Sequence, residues 1–275
     1  MAIRPTSNKT DTQLLKVFSE AHKELKILFL DAVDQNNIPK RNFIFSKIQT
    51  LEKDLAHTYK DRAKLRITEE YLYGAEQIEK FLGRDTFGKE LQNTAKLSLT
   101  EKTVAYQAMI QTHLWVIHTD AVKFLIEEST GMINNSLAGV PRNIKYALGE
   151  IGRVEIQEKL AKSIVKGTSS FQSKQDIISY YKKKWIPMFI DKGWRKRSLP
   201  RYADMLVRTE KARAHTAGVV NRGIENGITK YINRERPDCR PISRKRKNKI
   251  LVVGRDRFSP YHPNERGWVE PYSKK

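Results

Sequence analysis

Few side chains in this sequence are placed to do chemistry. Histidines stand at 22, 57, 113, 118, 215 and 262, and Cys239 is the sole cysteine of 275 residues, so no intrachain disulfide can form. A structural zinc site needs four tight ligands. The C-terminal stretch offers Cys239, His262 and Glu265 and marks no fourth, so neither metal nor cofactor is expected. His113 and His118 are five residues apart and share a helical face poorly; surface or core positions are expected for both. Cys239 and His262 could form a nucleophilic pair, yet no Asn or Asp is framed to orient the imidazole. No glycine-rich phosphate loop is present, because GIENG (223–227) falls at a helix end. The expectation is therefore not an enzyme. The competing class is a nucleic-acid-processing, nuclease-like enzyme.

The basic residues give a stronger signal. Lys182-Lys183-Lys184-Trp185, Lys192-Gly193-Trp194-Arg195-Lys196-Arg197 and Arg244-Lys245-Arg246-Lys247-Asn248-Lys249 interleave cations with tryptophan, glycine and asparagine. The chain carries a net charge of +21. Residues 1–141 hold 19 Lys/Arg against 18 Asp/Glu, whereas 142–275 hold 33 against 13, a net of +20. A single run is ordinarily a solvated face; three runs in a half this basic point to a polyanion. Lys182, Lys183, Lys184, Arg195, Lys196, Arg197, Arg244, Lys245, Arg246, Lys247 and Lys249 are the candidate phosphate ligands. Such contacts are electrostatic and indifferent to base sequence. Membrane is the weakest partner: there is no basic amphipathic helix with large apolar anchors, no apolar run of transmembrane length and no secretory h-region.

The elements that must position these residues are mostly helical. Apolar spacing predicts a helix over 11–34, a break at Asn36-Asn37-Ile38-Pro39, a second helix over 42–64, and a third from a Thr68 cap to Gly83. Ser98-Leu99-Thr100-Glu101 has capping-box form. The helix after it, expected to reach about Ser129, is apolar on more than one face and reads as the central helix of a bundle. Residues 131–141 are small and turn-rich, and the charge balance switches there. The predicted domains are thus a helical bundle or antenna over 1–135 and a basic α+β domain over 136–275. Short helices are expected at about 141–150 and 153–166, and another from Ser173 until Pro187 ends it.

One long helix dominates the second half. From Leu199, with Pro200 in the first turn, small or apolar residues recur near a 3.6 period at Tyr202, Met205, Leu206, Thr209, Ala212, Thr216, Val219, Val220, Gly223 and Ile224. Arg208, Glu210, Lys211, Arg213 and Arg222 take the opposite face, and Gly227 is a C-cap. Arg208 and Glu210 stand about 200° apart and must find different neighbours, as ties toward a C-terminal sheet. Extended segments follow at 228–233, 250–253 and around Trp268, and this small sheet should pack on the helix, with Tyr261 and Trp268 against its small residues. The fold class is α+β, mainly α.

Residues 202–218, YADMLVRTEKARAHTAG, resemble the signature helix of the phage minor head proteins, the phage Mu F-type head morphogenesis family. The shared pattern is an aromatic (Tyr202), then Arg208-Thr209-Glu210, then an Ala/Arg-rich turn closing on a small residue. Residues 228–240, ITKYINRERPDCR, are similar to that family's strand leading to a cysteine. Residues 260–271, PYHPNERGWVEP, resemble its closing segment through His262, Pro263 and Asn264, with Glu265 where a cysteine usually stands. The resemblance covers about residues 170–275. It implies a minor capsid protein of a tailed bacteriophage, made in the host cytoplasm and placed inside the capsid near the portal vertex. Implied partners are the portal protein, with scaffold or major capsid protein as further possibilities, and double-stranded DNA bound without sequence preference. The implied role is in head assembly and DNA packaging or ejection. An internal, DNA-condensing or ejected virion protein is the third class.

Overall fold

The computed structural model describes residues 11–34, 38–138, 188–190, 196–235, 241–258, 260 and 267–272. The expected short helices of 141–185 lie outside these, as do Cys239, Tyr261 and His262. The described chain is mainly helical, with a small antiparallel sheet near its C-terminus. The helices are α1 (Thr12–Asp34), α2 (Ile38–Phe81), α3 (Gly88–Asn93), α4 (Leu99–His113), α5 (Val116–Leu137), α6 (Leu199–Glu225) and α7 (Pro241–Arg244). The strands are β1 (Met188–Ile190), β2 (Lys196–Ser198), β3 (Lys230–Arg234), β4 (Ile250–Val252) and β5 (Trp268–Pro271). No helix among the described residues is long and apolar enough to cross a membrane.

Contacts divide the described chain into two compact units, each made of separate stretches, with cuts at 12/13, 58/59, 131/132 and 203/204. One contains residues 11–12, 59–131 and 204–272, and the other contains 13–58, 132–138 and 188–203. The expected turn at 131–141 is helical as far as Leu137. In the second unit, Leu14, Phe18, Ala21, Leu25 and Leu28 form a buried stripe on α1, as do Ile44, Ile48 and Leu55 on α2. There β1 pairs antiparallel with β2, with Phe189 opposite Arg197.

The first unit holds the site. α2 is one helix of 44 residues rather than the two expected. Thr68 does not cap a helix; its hydroxyl donates to the Lys64 carbonyl one turn back, at 2.7 Å, so the helix runs through it. The helix expected over 98–129 is instead broken at Leu114, whose extended backbone and burial turn the chain between α4 and α5. The Ser98–Glu101 capping box forms as read. The all-round burial expected of that helix belongs instead to the second half of α2, where Ile67, Tyr71, Leu72, Ala75 and Ile78 are fully buried beside Glu70 and Glu79.

α2 and α6 meet at two glycines. A Cβ on Gly74 would overlap the His215 carbonyl oxygen, and one on Gly218 would overlap the Tyr71 carbonyl oxygen, so both backbones approach as only glycine permits. The sheet, in the order β4-β3-β5, closes the other side. Tyr231, Leu251 and Val269 from its strands share one apolar cluster with Ile78 of α2 and Val219 of α6. The small face of α6 is thus met by a helix as well as by strands. At Gly223 the filling residue is Tyr231, whose hydroxyl donates toward the carbonyls of Val220 and Ile228, each at 3.2 Å. Trp268 is half-buried and its indole N–H donates to Glu270 of its own strand at 2.9 Å. α6 ends as predicted. Gly227 is left-handed (φ 75°), and the amides of Gly227 and Ile228 return to the carbonyls of Ile224 and Gly223.

Candidate nucleic-acid interface

The basic run 244–249 forms the link between β3 and β4, and its shape is set by Asn233. This buried residue pairs with the run on both sides. Its amide donates to the Lys249 carbonyl at 2.9 Å and its carbonyl accepts from the Asn248 amide at 2.7 Å. Its side-chain amide donates to the Arg246 carbonyl at 3.2 Å and to Glu235 at 3.1 Å. α7 and the turns after it close with short-range backbone bonds, Lys245 to Pro241, Arg246 to Ser243 and Lys247 to Arg244. Asn248 takes the left-handed conformation (φ 62°), which asparagine tolerates better than most residues. Its side chain accepts from Arg234, which also binds Glu270 at 2.8 Å.

This scaffold leaves Arg244, Lys245, Lys247 and Lys249 exposed, with Arg246 half-buried. None of the four exposed side chains has an ion-pair partner among the described residues. The run is therefore a set of exposed cations carried on a hydrogen-bonded turn. Lys230 and Arg257 add exposed charge elsewhere on the sheet subdomain. Sequence reading passed over both, because each is an isolated cation outside any run. Arg255 is exposed too but sits 3.0 Å from Asp256. Of the other candidate ligands, Lys196 and Arg197 belong to β2 in the other unit, and Lys182, Lys183, Lys184 and Arg195 lie outside the described residues.

The signature-helix residues do something different. Arg208 binds Asp204 one turn earlier, through Nε at 3.0 Å and a second nitrogen at 2.8 Å, and among the described residues makes no tie to the C-terminal sheet. Thr209 is half-buried and bonds the Met205 carbonyl within the helix. Tyr202 is buried, while Ile224, expected on the buried stripe, is 46% exposed. The supposed outer face of α6 is largely inside: Glu210 is 1% exposed and Lys211 7%. Lys211 Nζ lies 3.4 Å from Glu70, and burial still pushes Glu70 up to about 7 against the pull of Lys211. Glu210 is raised to about 7 for the same reason, although Arg213 and Arg66 oppose it. His262, Pro263 and Asn264 lie outside the described residues.

A buried polar chain continues along the two helices. Asn221 donates to the Tyr71 hydroxyl at 2.9 Å, and that hydroxyl lies 2.7 Å from His118 Nδ1, while His118 Nε2 lies 2.7 Å from Glu225. Arg222 spans Glu225 and Glu79 at 2.7 and 2.6 Å. Burial lowers the His118 pKa, and the Glu225 charge offsets part of that effect. Burial also pushes Glu79 up, but hydrogen bonds from Thr86 and Arg222 and the nearby Arg222 and Arg84 charges outweigh it and hold the carboxyl low. His215 Nε2 donates to the Gln77 amide oxygen at 3.1 Å, and burial depresses the His215 pKa to about 4. Tyr71 and His118 are both 0% exposed. Their hydrogen bonds link α2, α5 and α6. Among the described residues no group of three or more His, Cys, Asp and Glu could hold a metal ion.

The fold and site define a mainly helical α+β protein with a hydrogen-bonded, exposed basic turn on a small sheet. No protein-family model, no curated protein and no solved structure matches the chain.

Proposed function

We propose that this protein is a minor capsid component of a tailed bacteriophage. In this reading it associates with the portal, holds packaged DNA through phosphate contacts and acts in head assembly and in DNA packaging or ejection. It is a binding protein rather than an enzyme. The observation that carries the DNA half is the basic turn. Arg244, Lys245, Lys247 and Lys249 stand exposed and without described ion-pair partners on a framework fixed by Asn233. Such an array suits a phosphate backbone and reads no base edges. The phage assignment is supported by the ordered resemblance of 202–218, 228–240 and 260–271 to the head morphogenesis family.

The DNA test uses the full chain, because α6 buries its charges against α2 and residues 142–275 would lose that partner. We expect sequence-independent binding of duplex DNA that weakens steeply with salt. Replacing Arg244, Lys245, Lys247 and Lys249 together by alanine should shrink the slope of log affinity against log salt by about 3.6, or 0.9 per lost phosphate contact. An unchanged slope would remove the turn from the interface. Cleavage of the duplex with magnesium or manganese would replace this reading by the nuclease class. Location of the chain away from the portal vertex in an asymmetric particle reconstruction would end the portal assignment.

A further inference from the structure

A groove of about 550 Å³ opens in the first unit between the middle of α2, α4 and α5. Each of α4 and α5 turns an i, i+3, i+4, i+7 stripe into it, so the groove follows the helix axes. Its floor is apolar, with Ile110 and Val122 buried and Leu65 half-buried. At its rim Lys60, Lys64 and Lys123 are all exposed. None of the three has an ion-pair partner among the described residues, and Glu127 is the single acidic side chain in the lining. The lining of α2 runs from residue 60 to 68, about 12 Å or two helical turns.

We propose that this groove docks a short acidic amphipathic helix of a partner protein. The charge complementarity is direct: three cations and one anion surround an apolar floor. A helix with apolar anchors one turn apart fills the floor, and Asp or Glu on its flanks meets the lysines. A nucleic-acid backbone would satisfy the lysines and leave the floor wet, so a peptide fits both parts of the site better. The inference deepens the protein-docking half of the proposed function and rests on that reading for the existence of a partner.

The probe is a fluorescein-labelled helical peptide of about 14 residues, roughly four turns, with leucines at i, i+3, i+4 and i+7 and glutamates on both flanks. Its controls replace every glutamate by lysine, or every leucine by serine. Fluorescence anisotropy with the full-length protein should show saturable binding of the acidic peptide. Lys60→Glu, Lys64→Glu and Lys123→Glu combined should weaken it by about tenfold or more, an effect on the scale of one lost charged contact. Gln111→Trp, an exposed lining position, should block the groove without altering its charge; circular dichroism shows that each variant is folded. No binding of the acidic peptide, equal binding of the lysine control, or binding unchanged in both variants overturns the proposal. Displacement of the peptide by duplex DNA, lost on the same lysine reversals, makes the groove a nucleic-acid site and also overturns it. Failure here leaves the salt-dependent DNA binding of the 244–249 turn intact, so the two readings fall separately.

Discussion

The α2–α6 contact and the 244–249 turn are built from the same charged residue types with opposite outcomes. Between the helices, Lys211 faces Glu70 and Arg222 faces Glu79, all buried or nearly so, and Glu210 is buried close to the Arg66 charge. On the turn, Arg244, Lys245, Lys247 and Lys249 face water, while the polar backbone beneath them is paired. A buried charge must be matched or must change its protonation, because desolvation costs more than most single contacts return. An exposed charge is screened and contributes little to folding, and is therefore free for a ligand. Charge in this protein thus means architecture in one place and recognition in the other.

The largest effect that could break this comparison lies at the glycines between the helices. Gly218→Leu forces a side chain into the Tyr71 carbonyl, and we expect destabilisation of about 3 kcal/mol or more by denaturant unfolding. The helical Gly131 has nothing within 4 Å of an added Cβ, so Gly131→Ala should stabilise by about 0.5–1 kcal/mol. A neutral Gly218→Leu would mean that the helices do not approach as closely as described.

Next comes Lys211. The sequence placed it on an outer face, where Lys211→Leu would change stability by less than about 0.5 kcal/mol. Its burial beside Glu70 reverses that expectation. We expect a loss of roughly 3 kcal/mol at pH 8, since an uncompensated carboxylate is left inside. The loss should shrink toward pH 5 as Glu70 takes up a proton. A pH-independent loss would point to packing rather than charge.

Glu210 sharpens the electrostatic side. Its pKa in the folded protein is about 7 against an ordinary 4.5, so the folded state holds a proton that the unfolded chain releases. The stability this gives is complete below about 4.5 and is lost as pH rises through about 7, by up to about 3 kcal/mol. Glu210→Gln should flatten that part of the stability–pH curve and leave the variant the more stable protein at pH 8. His215, depressed to about 4, works in the opposite sense and weakens the fold as pH falls below its ordinary 6.5. The difference between wild type and Glu210→Gln isolates the carboxylate from it. An unchanged curve would show that Arg213 and Arg66 compensate the charge fully.

The smallest effect belongs to the turn. Lys247→Ala should move stability by less than about 0.5 kcal/mol while weakening DNA binding. A larger stability change would mean that the cation is structural, and the contrast between the two regions would collapse.

Much of this protein could be read from local pattern. The capping box at Ser98–Glu101, the left-handed glycine that ends α6 at 227 and the long helix after Leu199 depend on interactions within a few residues, which the chain states directly. The basic run at 244–249 was legible as charge. Three things were not. The long α2 hides its continuity, because a threonine that could cap a helix can also bond the carbonyl one turn back. The break at Leu114 has no glycine or proline to announce it; there the chain turns extended and buries the leucine side chain. The periodicity of α6 showed one buried stripe, yet Lys211 and Arg222 opposite it are inside as well, because α2 supplies partners for them from about 140 residues away. Periodicity ranks the faces of a helix by hydrophobicity. Whether a charged face meets water or a matching charge depends on which distant segment packs there, and only the tertiary structure decides that.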